Sequence, residues 1–163
     1  IEDYEDAVMK PLFSTKARGM IVVSAHEPPD DLIQKLAHFQ QKNPLMYIQK
    51  KYDLSGEDYG IVFVGERYLC SYSRVGDGSN WNTTIAGGGK YQAHEPSAEV
   101  MTLAQQARSV FNLDYTTVDI AITRNGPVVF EVSAFGGFRG VKEGAGIDAA
   151  ARYAEYIVEK MHD

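Results

Sequence analysis

"VDIAITRNGPVVFEVSAFGGF", residues 118–138, decides how this chain is read. Two apolar, β-branched runs flank Asn125-Gly126, a strong two-residue turn signal, so the stretch reads as a β-hairpin. Each run carries one acid: Asp119 lies between Val118 and Ile120, and Glu131 between Phe130 and Val132. Strict pairing about the turn sets Asp119 opposite Val132 and Glu131 opposite Ile120, on different faces of the sheet. One bulge, or a turn longer by one residue, brings both acids onto one face. Periodicity alone leaves both arrangements open. A carboxylate buried among such neighbours costs several kcal/mol unless it is paired or bound to a cation. Two of them close together do not both stay ionised without one. Hard oxygen ligands with no cysteine or histidine nearby suit magnesium, which typically also takes phosphate oxygens from its substrate. The alternative is a pair of solvent-facing acids on a half-exposed sheet.

Composition narrows the function classes. The chain has 163 residues, enough for one domain or for one large subdomain with part of another. Its net charge of −6 argues against general affinity for nucleic acid, although a local basic pocket stays compatible with it. The single cysteine, Cys70, permits no internal disulfide and points to a reducing compartment, hence the cytoplasm. His26, His38, His94 and His162 are scattered without metal-ligand spacing, which makes a zinc site improbable. No apolar run approaches bilayer length and no signal peptide is visible, so no membrane partner is expected. The chain begins at Ile1 in mid-pattern and reads as part of a longer protein.

The remaining sequence alternates strands and helices in the order β-β-α-β-β-β-α-β-β-α. "AVMK" and "MIVVSA" read as strands around the polar loop "PLFSTKARG". "PPDDLIQKLAHFQQKN" reads as a helix, with prolines at its start, Asp30 and Asp31 in the first turn, and Leu32, Leu36 and Phe39 at helical spacing. "LMYIQKKY", "YGIVFVG" and "RYLCSYSRV" are strand-like, and Gly65-Glu66 suggests a tight hairpin. "GDGSNWNTTIAGGGKYQ" reads as a glycine-rich loop. "PSAEVMTLAQQARSVF" is a helix with Ser97 as N-cap, and "GIDAAARYAEYIVEKM" is an amphipathic closing helix. Hairpin-joined neighbours predict an α+β fold with antiparallel sheets and flanking helices. Lys10 at a strand end, with Lys16, Arg18 and Gly19 after it, reads as a loop offering cations and backbone N–H groups to phosphates, or as an ordinary basic turn.

Taken together, these residues resemble the ATP-grasp superfamily, and within it the RimK-like α-L-glutamate ligases, over nearly the whole chain. The resemblance implies the C-terminal portion of the ATP-grasp fold, with residues 1–45 as part of the central subdomain and 46–163 as the C-terminal one. The family's N-terminal domain would lie outside this chain. "VMKPLF" is similar to the strand ending in a nucleotide-binding lysine, so the resemblance gives Lys10 to the α and β phosphates. "YIQKKY" resembles the segment between the two subdomains, where Lys50, Lys51 and Tyr52 would hold the adenine edge. Asp58 in "GEDYGIVFVG" matches an aspartate that helps hold the nucleotide. "VDIAI" and "VVFEVS" match the metal-bearing strands, giving Asp119, Glu131 and Ser133 to the metal.

The cofactors so implied are ATP and Mg2+, with Mn2+ as an alternative. The implied reaction activates a carboxylate as an acyl phosphate, which an amine, usually glutamate, attacks to give an amide. The acceptor would be a small molecule or a carrier protein; self-association into a homo-oligomer stays open. Three departures stand against this pattern. Ser133 occupies the position of an asparagine. The family's Arg-x-Asn falls on Asn82-Thr83-Thr84, placing Asn82 and Thr84 at catalytic positions without the arginine. Ser14 and Ala17 replace glycines of the phosphate loop. Lys16, Arg18, Arg74, Lys90 and Arg139 are candidates for the missing charge, with Arg74 counted among the catalytic residues. A catalytic ligase and a non-catalytic nucleotide-binding module are therefore both expected readings.

Overall fold

The computed structural model describes residues 4–14, 16–54, 56–78 and 80–162. The chain divides into two compact units, Ile1–Asp53 and Leu54–Asp163. In the first, β1 (Asp6–Pro11), β2 (Ile21–Ser24) and β3 (Met46–Lys50) form an antiparallel sheet in the order β2-β1-β3. Helix α1 (Pro29–Lys42) follows Pro28, carries Asp30 and Asp31 in its first turn and ends on Lys42, charges that complement its dipole. It lays Phe39, with Leu32 and Leu36, against Ala7, Met9 and Val23 of the sheet. Strand β3 pairs with β1 from Ala7↔Lys50 to Pro11↔Met46. That ladder keeps residues 46–50 in the first unit.

The second unit is a five-stranded antiparallel sheet in the order β6-β5-β4-β7-β8. Its strands are β4 (Glu57–Val64), β5 (Arg67–Val75), β6 (Lys90–Ala93), β7 (Tyr115–Thr123) and β8 (Gly126–Ser133). The turn at Gly65-Glu66 pairs Val64 with Arg67, and Gly65 takes the left-handed φ of 55° that such a turn requires. Helix α2 (Ala98–Ser109) is capped by Ser97, whose hydroxyl accepts from the Val100 amide at 3.3 Å. It covers one face, packing Val100 and Ala104 on Ile61, Phe63, Val118 and Ile120.

Helices α3 (Phe138–Ala145) and α4 (Ala149–His162) serve the opposite face. Val141 and Ala149 close there on Val62, Val64, Cys70, Tyr72 and Tyr115. Burying each such side chain contributes roughly 1.5–3 kcal/mol, so this pair of cores holds the sheet rigid beneath the site. Tyr72 fixes how α3 sits. A Cβ added at Gly140 or Gly144 would come 2.6 or 2.5 Å from the Tyr72 side chain, and one added at Gly60 on β4 would come 2.5 Å from the same ring. Two strand and helix elements thus omit side chains to admit one aromatic ring.

Two elements differ from the sequence expectation. "KYQA" forms the edge strand β6, and "FRGVKEGA" is helical despite two glycines. Among the described residues no helix is long and apolar enough to cross a membrane.

Candidate active site

The site is built on the α3 side of the large sheet. Tyr72, Gly60, Asp119 and Glu131 are partners in one line across β5, β4, β7 and β8. Near the turn the hairpin pairs Thr123 with Gly126 and Ile120 with Val129; beyond it Asp119 pairs with Glu131 and Thr117 with Ser133. Phe130 is left without a partner. This one-residue bulge reverses the parity of β8 and brings Glu131, then Ser133, onto the face of Asp119. The two acids differ in burial, however. Asp119, on an inner strand, is 7% exposed, whereas Glu131 is exposed on the edge strand. The expectation of two buried carboxylates therefore holds for Asp119 alone, because flanking apolar residues do not bury a side chain that an edge strand turns to solvent.

One row further along, Asp58 pairs with Arg74. Asp58 is 1% exposed, and both of its oxygens are used. Oδ1 accepts from the Thr83 hydroxyl, and Oδ2 accepts from Arg74 Nε at 2.8 Å and from Nη2 as well. The same Nη2 lies 3.0 Å from Asp119 Oδ2. Burial works against the charge of Arg74, and Asp119 and Asp58 more than offset it, so its pKa lies above the ordinary value. Burial raises the Asp119 carboxyl to about 7, with Asp58 and Glu131 adding to the rise and Arg74 opposing it. Asp119 Oδ1 is buried and has no hydrogen-bond partner among the described residues.

That unpartnered oxygen, the Glu131 carboxylate opposite it and the Ser133 hydroxyl next on the same face make a hard-oxygen donor set. Among the described residues no three His, Cys, Asp or Glu side chains cluster as a metal site. The set fits a divalent ion that keeps water and phosphate oxygens in its shell, as magnesium does, and not one caged by protein alone.

The glycine-rich segment supplies the other wall. Asn82 Oδ1 accepts from the Thr84 amide at 3.2 Å and the Thr84 hydroxyl at 2.7 Å, which ties together the two residues that the resemblance sets at catalytic positions. Thr83 between them reaches Asp58 and is the residue that sequence reasoning missed. Its only signal was position, between two departures from the motif. Gly89 makes the placement possible: a Cβ there would come 2.4 Å from the Thr83 carbonyl oxygen. Arg139 is engaged with Glu143 at 2.6 Å, and Lys90 is exposed on β6.

The nucleotide candidates of the first unit lie on β1 and around the end of β3. Lys10 is half-buried at the end of β1, opposite Tyr47, with its Nζ 5.7 Å from the centre of that ring. Lys50 is exposed, and Lys51 and Tyr52 half-buried, at the end of β3; the Lys51 amide donates to the Asp6 carbonyl at 2.9 Å. Lys16 and Ala17 in the loop after β1 both have φ of 56°.

Residues 1–157 match the model of the RimK-like ATP-grasp domain. The chain belongs to that family. The tetrahydromethanopterin:alpha-L-glutamate ligase of Methanocaldococcus jannaschii is 26% identical over 162 residues, covering 98% of this chain and 55% of that protein. A probable alpha-L-glutamate ligase of Haemophilus influenzae is 27% identical over 151 residues, 92% of this chain and 49% of that one. The chain thus spans about half the length of the curated relatives it matches. Among solved structures, D-cycloserine synthetase DcsG is similar with a TM-score of 0.73 at 15% identity, over 98% of this chain and 57% of that one. The ATP-grasp ligase PsnB complexed with minimal precursor gives 0.70 at 22%, over 98% and 49%. These likenesses carry the fold, and the α+β ATP-grasp architecture with antiparallel sheets is as the sequence implies.

Proposed function

We propose that this RimK-like ATP-grasp chain is the nucleotide- and metal-binding portion of an ATP-dependent ligase that joins a carboxylate to an amine. Glutamate is the proposed amine, on the strength of the glutamate ligases among its relatives. One observation carries the reading: Asp119 keeps a buried oxygen unpartnered, directly opposite Glu131. Leaving that oxygen dry costs about 1–3 kcal/mol, which a bound ligand recovers. Asp119, Glu131 and Ser133 are the residues that would hold Mg2+. When bound, the ion neutralises charge on a transferring phosphoryl group. Arg74 sets a fixed cation beside Asp119, with no reorganisation needed as charge develops. Lys10 and the segment Lys50–Tyr52 are proposed for the phosphates and adenine, and a small molecule or carrier protein for the acceptor.

A second reading, a nucleotide-binding module without turnover, is favoured by a different observation. Asn82 and Thr84 cap each other and offer no cation where the resemblance expects one. Acceptor-dependent ADP release by the full-length protein, with glutamate and a panel of carboxylates, separates the two. Release supports the ligase; tight Mg-ATP binding with no release across the panel supports the module.

A further inference from the structure

Tyr72 does more than seat α3. It stands in line with Gly60 and Asp119 across β5, β4 and β7. The end of its ring occupies the place a Gly60 side chain would take: a Cβ there would come 2.5 Å from Cζ and 2.8 Å from the hydroxyl oxygen. The phenol therefore reaches over β4 toward the strand that carries Asp119. Gly140 and Gly144 close on the same ring from α3, and Tyr91 meets it at right angles with the ring centres 5.3 Å apart. Three glycines and a second ring thus fix the direction of one hydroxyl. Among the described residues that hydroxyl makes no hydrogen bond, although a buried tyrosine usually finds a partner. Nor is it one of the sealed, unpartnered oxygens, so the 5% exposure of Tyr72 includes it. Asp119 Oδ1, in the next strand of the same row, is unpartnered too.

We propose that Tyr72 is a positioning residue of the metal site, its hydroxyl holding one oxygen of the ion's shell beside Asp119. That oxygen is a water or a phosphate oxygen, since magnesium keeps both. The proposal rests on the metal site proposed above and adds to it a partner outside the donor set of Asp119, Glu131 and Ser133. A group of this kind orients a ligand without touching the ion, and losing one typically costs about 10–100-fold in metal affinity. Burial first, and then the charge of Asp119, holds the Tyr72 phenol above its ordinary value, with Arg74 opposing. The proton is therefore kept and can be donated to a phosphate oxygen, while the lone pairs can accept from a water. Gly60 gains a specific role here, because any side chain at that position would displace the hydroxyl from the row of Asp119.

The test compares the full-length protein with Tyr72→Phe, which removes one oxygen and keeps the ring between Gly60 and Gly140. Mn2+ is the probe, its binding read by electron paramagnetic resonance, alone and with AMPPNP. The variant should bind the ion about tenfold more weakly, with the Tm of the metal-free protein unchanged. Weakening without nucleotide assigns a water as the held oxygen; weakening only with AMPPNP assigns a phosphate oxygen. Equal affinity in both arms overturns the proposal, because packing alone then accounts for Tyr72. A second measurement needs only the wild type. With 13C at tyrosine Cζ, the Tyr72 resonance should move when Mg2+ binds, alone or with AMPPNP. A resonance that stays in place while calorimetry shows Mg2+ bound in both arms overturns the proposal, whether or not Tyr72→Phe folds. A wild type that binds neither ion in either arm sinks the metal-site reading itself and this proposal with it.

Discussion

Asp119 and Glu131 face each other across β7 and β8 because Phe130 is bulged out of the ladder between them. The pairing puts a buried acid whose pKa is raised to about 7 against an exposed one, on the face that also carries Arg74.

The stability of the metal-free protein should therefore depend on pH through Asp119. Its folded value, about 7, lies above the ordinary 3.8, so the folded state binds the extra proton. The cost of ionising it is absent below about pH 4, grows as pH rises toward 7, and is constant above that. Asp119→Asn removes the cost and forfeits the contact to Arg74, which keeps Asp58. The variant should be more stable than the wild type above neutrality by roughly 1–3 kcal/mol, with the advantage shrinking to nothing, or reversing, near pH 4. Urea melts at several pH values check this. A variant that melts far below the wild type at every pH would make Asp119 a structural ion-pair partner only.

Mg-ATP should stabilise the full-length protein by about 2.7 kcal/mol at a hundredfold excess over Kd. Trp81, the single tryptophan, lies beside Asn82 in the glycine-rich segment and is 40% exposed, so its fluorescence should change as ligand binds. No shift in Tm and no change in fluorescence at millimolar Mg-ATP would remove both functional readings.

Ser133→Asn should tighten magnesium binding. A serine hydroxyl is short for direct ligation and leaves a place to water, which magnesium accepts; an asparagine carbonyl reaches further. The gain should be about 1 kcal/mol, seen as a lower magnesium requirement in a titration of nucleotide binding. If turnover exists it should rise at limiting magnesium, and an unchanged magnesium requirement would take Ser133 out of the donor set.

Ala17→Gly should stabilise the loop after β1. Ala17 has φ of 56°, a conformation that costs a residue with a Cβ roughly 1–2 kcal/mol and glycine almost nothing. Glycine's greater freedom in the unfolded chain offsets part of this, leaving a gain of about 0.5–1 kcal/mol in a denaturant midpoint. A loss of stability would contradict the left-handed backbone at this residue.

Much of the architecture was legible because it is written in local chemistry. The turn signal at Asn125-Gly126 marked the carboxylate hairpin, whose two-residue turn falls one residue earlier, on Arg124-Asn125, so that Gly126 already pairs with Thr123; Pro28-Pro29 with Asp30 marked α1, and Ser97 marked α2. What escaped depends on neighbours distant in sequence. The bulge at Phe130 is favoured by what lies on each face of the sheet: Val129 and Val132 pack toward α2, so Glu131 must turn the other way. β6 is four residues long at a sheet edge, and the alternation of Lys90-Tyr91-Gln92-Ala93 is too short to stand out from the glycine-rich segment before it. In the site, the acids were visible as residues out of place in apolar runs. Thr83 was not, because a threonine among polar loop residues carries no such signal until Gly89 lets it approach Asp58.

The glycines of α3 carry a consequence for the order of folding. An eight-residue helix with glycines at 140 and 144 is a poor helix by itself, since each glycine costs about 1 kcal/mol against alanine and so short a segment is marginal in water. It stands because the ring of Tyr72 fills the groove those glycines leave, and that ring also lies over Gly60, the residue joining Tyr72 to Asp119 across the sheet. Helix formation and the seating of this ring are thus one cooperative event. The amides of α3 should exchange with solvent as a single unit, and anything that disturbs the floor beneath Asp119 should register there first, well before the sheet itself opens.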